Sequence, residues 1–382
     1  MLTEKQYDTM LEKARIQIEG FAIPDDALDA IGAGVKARAG GFESGGKGRP
    51  AMMKLRNGLD IPVVAQTEES PYALTYNDGR FDLLKRGEVL YADVTFEERP
   101  KFHDKLTSDG VPMRGLVGIV NRGVAALSAA PGCYFQANGE GCLFCNFYSG
   151  ERSPRPRHTL QQTAEAVKAA FDEGVAWRVN YNGGVLANRR EIDLYIESLQ
   201  AIFEHFGTRD LIASVCIAAP TDFSQIDRLK DAGFTDLSMN LEIWDKNFFK
   251  TICPGKERLI GYDRWVEALE YGARVFGKGH VCTNFVTGIE PASKTLEGVR
   301  YLASVGVTSF PAVFQPTPDT AFDGHRAPTA KWNLDLHIAV TDILRENGFK
   351  LENTINTHAW STTLFQDVWR IEDGLLPELA DA

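Results

Sequence analysis

From residue 111 onward, short apolar runs alternate with longer stretches in which apolar residues recur every three or four positions. The runs 125–129, 178–181, 211–217, 237–243, 280–286 and 309–314 have the length and apolar density of buried strands. Between and after them, 163–172, 189–206, 224–232, 262–273, 294–304 and 331–347 carry helical periodicity. In the fourth of these, Tyr262, Trp265, Val266, Leu269 and Ala273 share one face. Thr159-Leu-Gln-Gln162 reads as a capping box ahead of its helix, and Gly348 as the stop behind the last one. Six β/α units in a row predict an α/β fold whose parallel sheet curves toward a barrel, with chemistry at the carboxyl ends of its strands.

The first 110 residues are patterned differently. A helix at 3–18, a glycine-rich loop at 32–48 and strand-like runs at 61–65, 72–76 and 89–94 predict an N-terminal α/β extension of unassigned fold. Asn77-Asp78-Gly79 is a turn signal between two of these pieces. The loop sequence GFESGGKG at 41–48 misses the phosphate-binding pattern, because Gly48 replaces the hydroxyl and Arg49-Pro50 follows in place of a helix; it reads as a surface loop. The expected organisation is an extension at 1–110, a barrel at 111–348 and a tail at 349–382 capping the barrel.

Charge narrows the function classes. The 382 residues carry 52 acidic and 41 basic side chains, a formal net charge of −11 with no basic run, which argues against nucleic-acid binding through phosphate contacts. No apolar run reaches the roughly eighteen residues of a membrane span. The N-terminal stretch lacks the apolar core of a signal peptide. These features predict a cytoplasmic protein, whose thiols stay reduced and whose cysteine clusters bind metal more often than they pair.

Three of the six cysteines fall within CYFQANGEGCLFCNF, residues 133–147, as Cys133, Cys142 and Cys145 at spacing C-x8-C-x2-C. The stretch follows the first barrel strand, where such a fold places an active-site loop. Thiolates suit iron–sulfur clusters, zinc or Cu(I). A structural zinc site closes with four ligands. No fourth cysteine is near in sequence, so His158 would have to complete a Cys3His knot.

Cys142-Leu-Phe144-Cys145 resembles the second half of the C-x3-C-x-aromatic-C signature of the radical S-adenosylmethionine (SAM) superfamily, although eight residues fill the first gap in place of three. The resemblance implies a partial (β/α)6 TIM-like barrel. It also implies a [4Fe-4S] cluster on Cys133, Cys142 and Cys145 with one iron open to SAM, and Phe144 near the SAM adenine. Tyr181-Asn182-Gly183-Gly184 stands where many members have a Gly-Gly-Glu stretch for the methionine amino group; here Val185 replaces the glutamate, which leaves Asn182, Gly183 and Gly184 to make the contact.

Asn240 and Glu242 are two apart on a predicted strand, so they point to one side, and polar groups inside a barrel need a partner. Asn240-Leu-Glu242 is similar to the Asn-Leu-Asp stretch that holds the SAM ribose in the biotin synthase branch. Cys216-Ile-Ala-Ala-Pro, Leu229-Lys-Asp-Ala-Gly233 and the stretch from His280 to Glu290 resemble the same branch, which implies that Gly288 borders the adenine. Cys216 and Cys282 fall on two cysteine positions of that enzyme's second cluster, but the third falls near Asn180, and both also read as small core residues. Cys253, in Ile-Cys-Pro-Gly-Lys256, reads as a solvent-facing loop thiol. The stretches 314–319 and Asn356-Thr-His358-Ala-Trp360 are candidate covers of the barrel mouth.

The resemblance therefore implies a radical SAM enzyme that cleaves SAM reductively to a 5′-deoxyadenosyl radical, which takes hydrogen from a small-molecule substrate in a biosynthetic step. An electron donor such as flavodoxin or ferredoxin is implied with it. Two other readings stay open: a catalytically silent iron–sulfur scaffold or assembly protein, and a zinc-dependent barrel hydrolase with histidine and carboxylate ligands on several strand ends.

Overall fold

The computed structural model describes residues 2–31, 52–63, 70–120, 123–128, 132–146, 158–186, 189–317, 319–356, 364–376 and 379. The loop at 41–48 and the candidate cover residues His358 and Trp360 lie outside them. The chain divides into two compact units: Met1–Lys101 with Pro328–Thr341 and Thr362–Ala382, and Phe102–Ala327 with Asp342–Ser361.

In the first unit, helix α1 (Glu4–Glu19) begins at Thr3, whose hydroxyl accepts the Gln6 N–H while the Gln6 amide oxygen accepts the Thr3 N–H. Helix α2 (Asp25–Ile31) follows. Strands β1 (Met52–Lys54), β2 (Asp60–Pro62), β3 (Tyr72–Asn77), β4 (Arg80–Lys85) and β5 (Glu88–Phe96) form an antiparallel sheet in the order β2-β1-β5-β4-β3. The predicted turn is the β3–β4 hairpin, with Asp78 at φ 50° and Gly79 at φ 82°, as a tight two-residue hairpin requires. Met10, Phe21, Leu59, Ile61, Tyr72 and Leu74 share one core with Leu334, Leu364 and Val368 of the returning segments. Lys13 and Asp367 form a fully buried ion pair beside that core, with Arg370 as a second partner of Asp367.

The second unit carries the β/α alternation: β6 (Gly118–Val120), β7 (Val124–Leu127), α3 (Tyr134–Ala137), α4 (Leu160–Asp172), β8 (Arg178–Tyr181), α5 (Glu191–Phe206), β9 (Ile212–Cys216) and α6 (Ser224–Ala232). After these come β10 (Asp236–Ser238), α7 (Lys246–Ile252), α8 (Pro254–Leu259), α9 (Tyr262–Phe276), β11 (Val281–Thr287), α10 (Ala292–Ser304), β12 (Val307–Val313), α11 (Ala330–Glu346) and α12 (Leu351–Asn356). Helix α11 belongs to the first unit through Thr341 and to the second from Asp342. The seven-stranded sheet runs β12-β11-β10-β9-β8-β7-β6, parallel from β7 to β12 with β6 antiparallel on its edge. It is a partial barrel, open between β12 and β6. Among the described residues no helix is long and apolar enough to cross a membrane.

Alternation along the strands separates the two faces of this sheet. The Tyr181 hydroxyl donates to Ser198 Oγ on α5 at 3.0 Å, and its ring stacks near Tyr195 and Phe234, so Val179 and Tyr181 face the helices. Asn180 therefore faces the concave side, where its Nδ2 donates to Ser214 Oγ on β9 at 2.7 Å. Leu237 and Met239 lie under α9, and a Cβ on Gly272 would come within 3.3–3.4 Å of them. The concave side carries small polar residues at Asn180 and Ser214.

The predicted strand at 237–243 is corrected. Regular pairing ends at Ser238; Leu241 N–H then donates to the Thr283 side chain, and Glu242 rejoins β11 through a single bridge to Phe285. Glu242 has φ 72°, a left-handed conformation that a non-glycine residue adopts at a cost.

Candidate active site

The cysteine loop is fastened to two neighbouring segments. Cys133 precedes α3 in extended conformation, and the next N–H, of Tyr134, donates to the Val185 carbonyl at 2.7 Å. Gly184 lies directly against this point: a Cβ there would stand 1.9 Å from the Gly132 carbonyl oxygen and 2.8 Å from Cys133 Cα. On the other side, Leu143 N–H donates to the Ile252 carbonyl at 2.9 Å, and Gly255 N–H to the Glu140 carbonyl at 3.0 Å. Arg258 pairs with the Glu140 carboxylate.

The eight-residue gap has its own structure. Residues 134–137 make the helical turn α3, and Gln136 Nε2 reaches forward to the Cys145 carbonyl at 2.6 Å, across the space a side chain on Gly141 would fill. Cys145 N–H donates to the Cys142 carbonyl at 3.0 Å, closing a tight turn between those two cysteines. Cys133, Cys142, Phe144 and Cys145 are all half-buried. Asn182 N–H is bonded to Leu127 at 2.9 Å, so the Asn182–Gly184 turn sits at the carboxyl ends of β7 and β8 beside Cys133.

Lys256 gathers the residues beyond β10. Its ammonium donates to the Glu242 carboxylate at 2.9 Å and to the Asn240 carbonyl at 2.6 Å, and lies 4.6 Å from the centre of the Trp265 ring. Burial works against its charge, yet Glu242, Cys142 and Cys253 hold the Lys256 proton above the usual lysine value. The Asn240 side chain accepts the Ser238 hydroxyl at 2.9 Å. Asn240 and Glu242 therefore meet at Lys256 rather than by strand alternation.

Cys253 is not a solvent-facing loop thiol. It is fully buried between α7 and α8 and hydrogen-bonded to Cys142. That hydrogen bond, aided by the Lys256 charge and opposed by burial, lowers the Cys142 thiol pKa; burial first, and then Cys142, raises that of Cys253.

The concave floor continues with Cys216 and Cys282. Cys282 Sγ donates to Ser238 Oγ at 3.3 Å, and burial pushes the Cys216 thiol up to about 11. Gly288 ends β11 at φ 103°, two residues before Glu290. The buried Glu290 carboxylate accepts the Trp244 and Asp245 N–H groups at 3.1 and 2.8 Å, tying the turn after β11 to the turn after Glu242.

Among the described residues, no three His, Cys, Asp or Glu side chains converge as a single metal ion requires, and the Cys3His set with His158 is not assembled. An iron–sulfur cluster makes a different demand. It takes separate thiolates on separate irons, so its ligands bracket a cluster and need not meet at one point. Three soft donors on one fastened loop fit that demand.

Sequence reasoning missed the positions of Lys256 and Cys253. The local signals were present: Asp245 caps α7 by accepting the Asn247 and Phe248 N–H groups, and Pro254 opens α8 at its first turn.

Residues 128–294 match the Radical SAM superfamily. The chain is 26% identical over 352 residues to a bacteriochlorophyllide c C-7(1)-hydroxylase of Chlorobaculum limnaeum, covering 87% of this chain and 83% of that protein. Its fold is similar to that of HydG, a maturase of [FeFe]-hydrogenase, with a TM-score of 0.49 and 16% identity over 61% of this chain and 54% of that one, so the match spans about half of HydG. A radical SAM methyltransferase from Sphaerobacter thermophilus gives a TM-score of 0.45 and 16% identity over 73% of this chain and 75% of that one. The Radical SAM superfamily implies a [4Fe-4S] cluster and SAM. Residues 128–294 form a radical SAM domain, and the chain is an enzyme.

Proposed function

We propose that Cys133, Cys142 and Cys145 hold a [4Fe-4S] cluster, and that Phe144, Asn182, Gly183, Gly184, Asn240, Glu242 and Gly288 surround SAM beside it. The observation that carries this reading is the fastening of the triple-cysteine loop between the turn after β8 and the start of α8, at the carboxyl ends of the strands. When bound, the cluster and SAM supply a one-electron cleavage whose 5′-deoxyadenosyl radical takes a hydrogen atom from an unactivated carbon.

The chain's own residues do the positioning. Lys256 fixes the Glu242 carboxylate and the Asn240 backbone, which leaves the second Glu242 oxygen for a ribose hydroxyl. Gly184 lets the SAM-side turn approach the cysteine loop closely. The concave floor offers Asn180, Ser214 and Ser238 to a small-molecule substrate. The electron comes from a small donor protein of the flavodoxin or ferredoxin class.

The likeness to the bacteriochlorophyllide hydroxylase reaches well outside 128–294, and it favours hydroxylation of a tetrapyrrole carbon as the overall reaction. The balance closes without a further oxidant: SAM, the C–H substrate and water become methionine, 5′-deoxyadenosine, the alcohol and a proton.

Chromatography of one anaerobic reaction with dithionite and SAM tests the reading. Methionine and 5′-deoxyadenosine are the expected products. Methylthioadenosine as the main product would mean that a different bond of SAM faces the cluster, and would overturn the reading.

A further inference from the structure

Cys142 and Cys253 face one another across a backbone clamp. The bonds from Leu143 N–H to Ile252 and from Gly255 N–H to Glu140 set residues 140–143 and 252–255 antiparallel, with the two cysteines between those bonds. Their thiols are hydrogen-bonded to each other. A disulfide needs Cα atoms roughly 4.4–6.8 Å apart, and the two backbone bonds bracket Cys142 and Cys253 from both sides. Cys253 has no part in the site proposed above, and burial keeps it from solvent.

The geometry points to an oxidative modification site: in the cluster-free chain, Cys142 and Cys253 join as a disulfide that withholds one cluster ligand until it is reduced. The functional consequence rests on the assignment of Cys142 to the cluster. The chemistry balances with a peroxide as the two-electron oxidant. The Cys142 thiol takes one peroxide oxygen to become a sulfenic acid and releases water; the Cys253 thiol then attacks that sulfur, forming the S–S bond and releasing a second water. A dithiol reductant reverses the step by exchange. Because Cys253 stands opposite, Cys142 is diverted from the irreversible sulfinic acid.

The test uses the full chain, cluster-free and anaerobic, with one equivalent of hydrogen peroxide. Alkylatable thiols should fall from six to four, and non-reducing peptide mass spectrometry should show Cys142 joined to Cys253. Iron uptake on reconstitution should drop at least tenfold and return after dithiothreitol. A Cys253→Ala chain should give no such link and, untreated, should take up iron as the wild type does. A main link between Cys142 and Cys145, or retention of all six thiols, would overturn the inference, as would a Cys253→Ala chain unable to take up iron, which would make Cys253 a ligand. A wild-type chain that forms the link yet never takes up iron would separate failure of the cluster assignment from failure of the disulfide.

Discussion

Replacing Cys133, Cys142 and Cys145 together with alanine should take the anaerobically reconstituted protein from about four iron and four sulfide per chain to none. Brown colour and SAM cleavage should disappear with them. The fold should survive, because the bonds that fasten the loop run from the backbone groups of Tyr134, Leu143 and Gly255 and do not use the thiols. Circular dichroism of the variant should therefore overlay that of the wild type while its iron content is nil. Retention of a full cluster in the triple variant, or one tightly bound zinc in the wild type, would remove the basis of the assignment.

The second large effect is expected at Glu242. Its side chain is 12% exposed and that of its partner Lys256 is 10% exposed, so the pair is nearly out of water. Glu242→Ala removes both the proposed ribose partner and the counter-charge of a buried ammonium. Loss of a hydrogen bond to a buried polar ligand group costs about 1–3 kcal/mol, so SAM affinity should fall about tenfold or more. Breaking a buried pair from one side also costs about 3–5 kcal/mol of folding stability. Glu242→Gln separates the two effects. It keeps an acceptor for Lys256 and so should recover part of the stability although the counter-charge is gone, yet still weaken SAM binding, with the cluster assembled in both variants. Equilibrium dialysis of SAM against each anaerobic protein reads the outcome; unchanged affinity in both variants would take Glu242 out of the SAM site.

Much of the barrel was legible because strands buried on both faces read as dense apolar runs: the run at 178–181 is β8 to the residue. Local hydrogen-bond chemistry was equally visible. The Thr159 capping box stands as read, and Gly348 follows α11 at φ 72° with its N–H on the Arg345 carbonyl. Several short helices escaped, α7 and α8 among them. With 7 and 6 residues, α7 and α8 are too short to display a helical period, although Asp245 and Pro254 marked their starts. The residues that build the site around Glu242 escaped with them. Lys256 reaches Glu242 only because the chain turns back through α7 and α8, a contact across 14 residues that carries no local signature. The strand expected at 237–243 failed for a related reason: apolar Met239, Leu241 and Ile243 are buried as a strand would bury them, but the backbone between them leaves the ladder at Ser238.

The central claim is that three cysteines hold a four-iron cluster with one iron left open to SAM. Mössbauer spectroscopy of the anaerobic protein, reconstituted with isotopically enriched iron and recorded without and with SAM, tests it most directly. The expected result is a [4Fe-4S] spectrum in which one iron site alone shifts when SAM is added. A spectrum that SAM leaves unchanged, or the absence of a four-iron cluster, would contradict it.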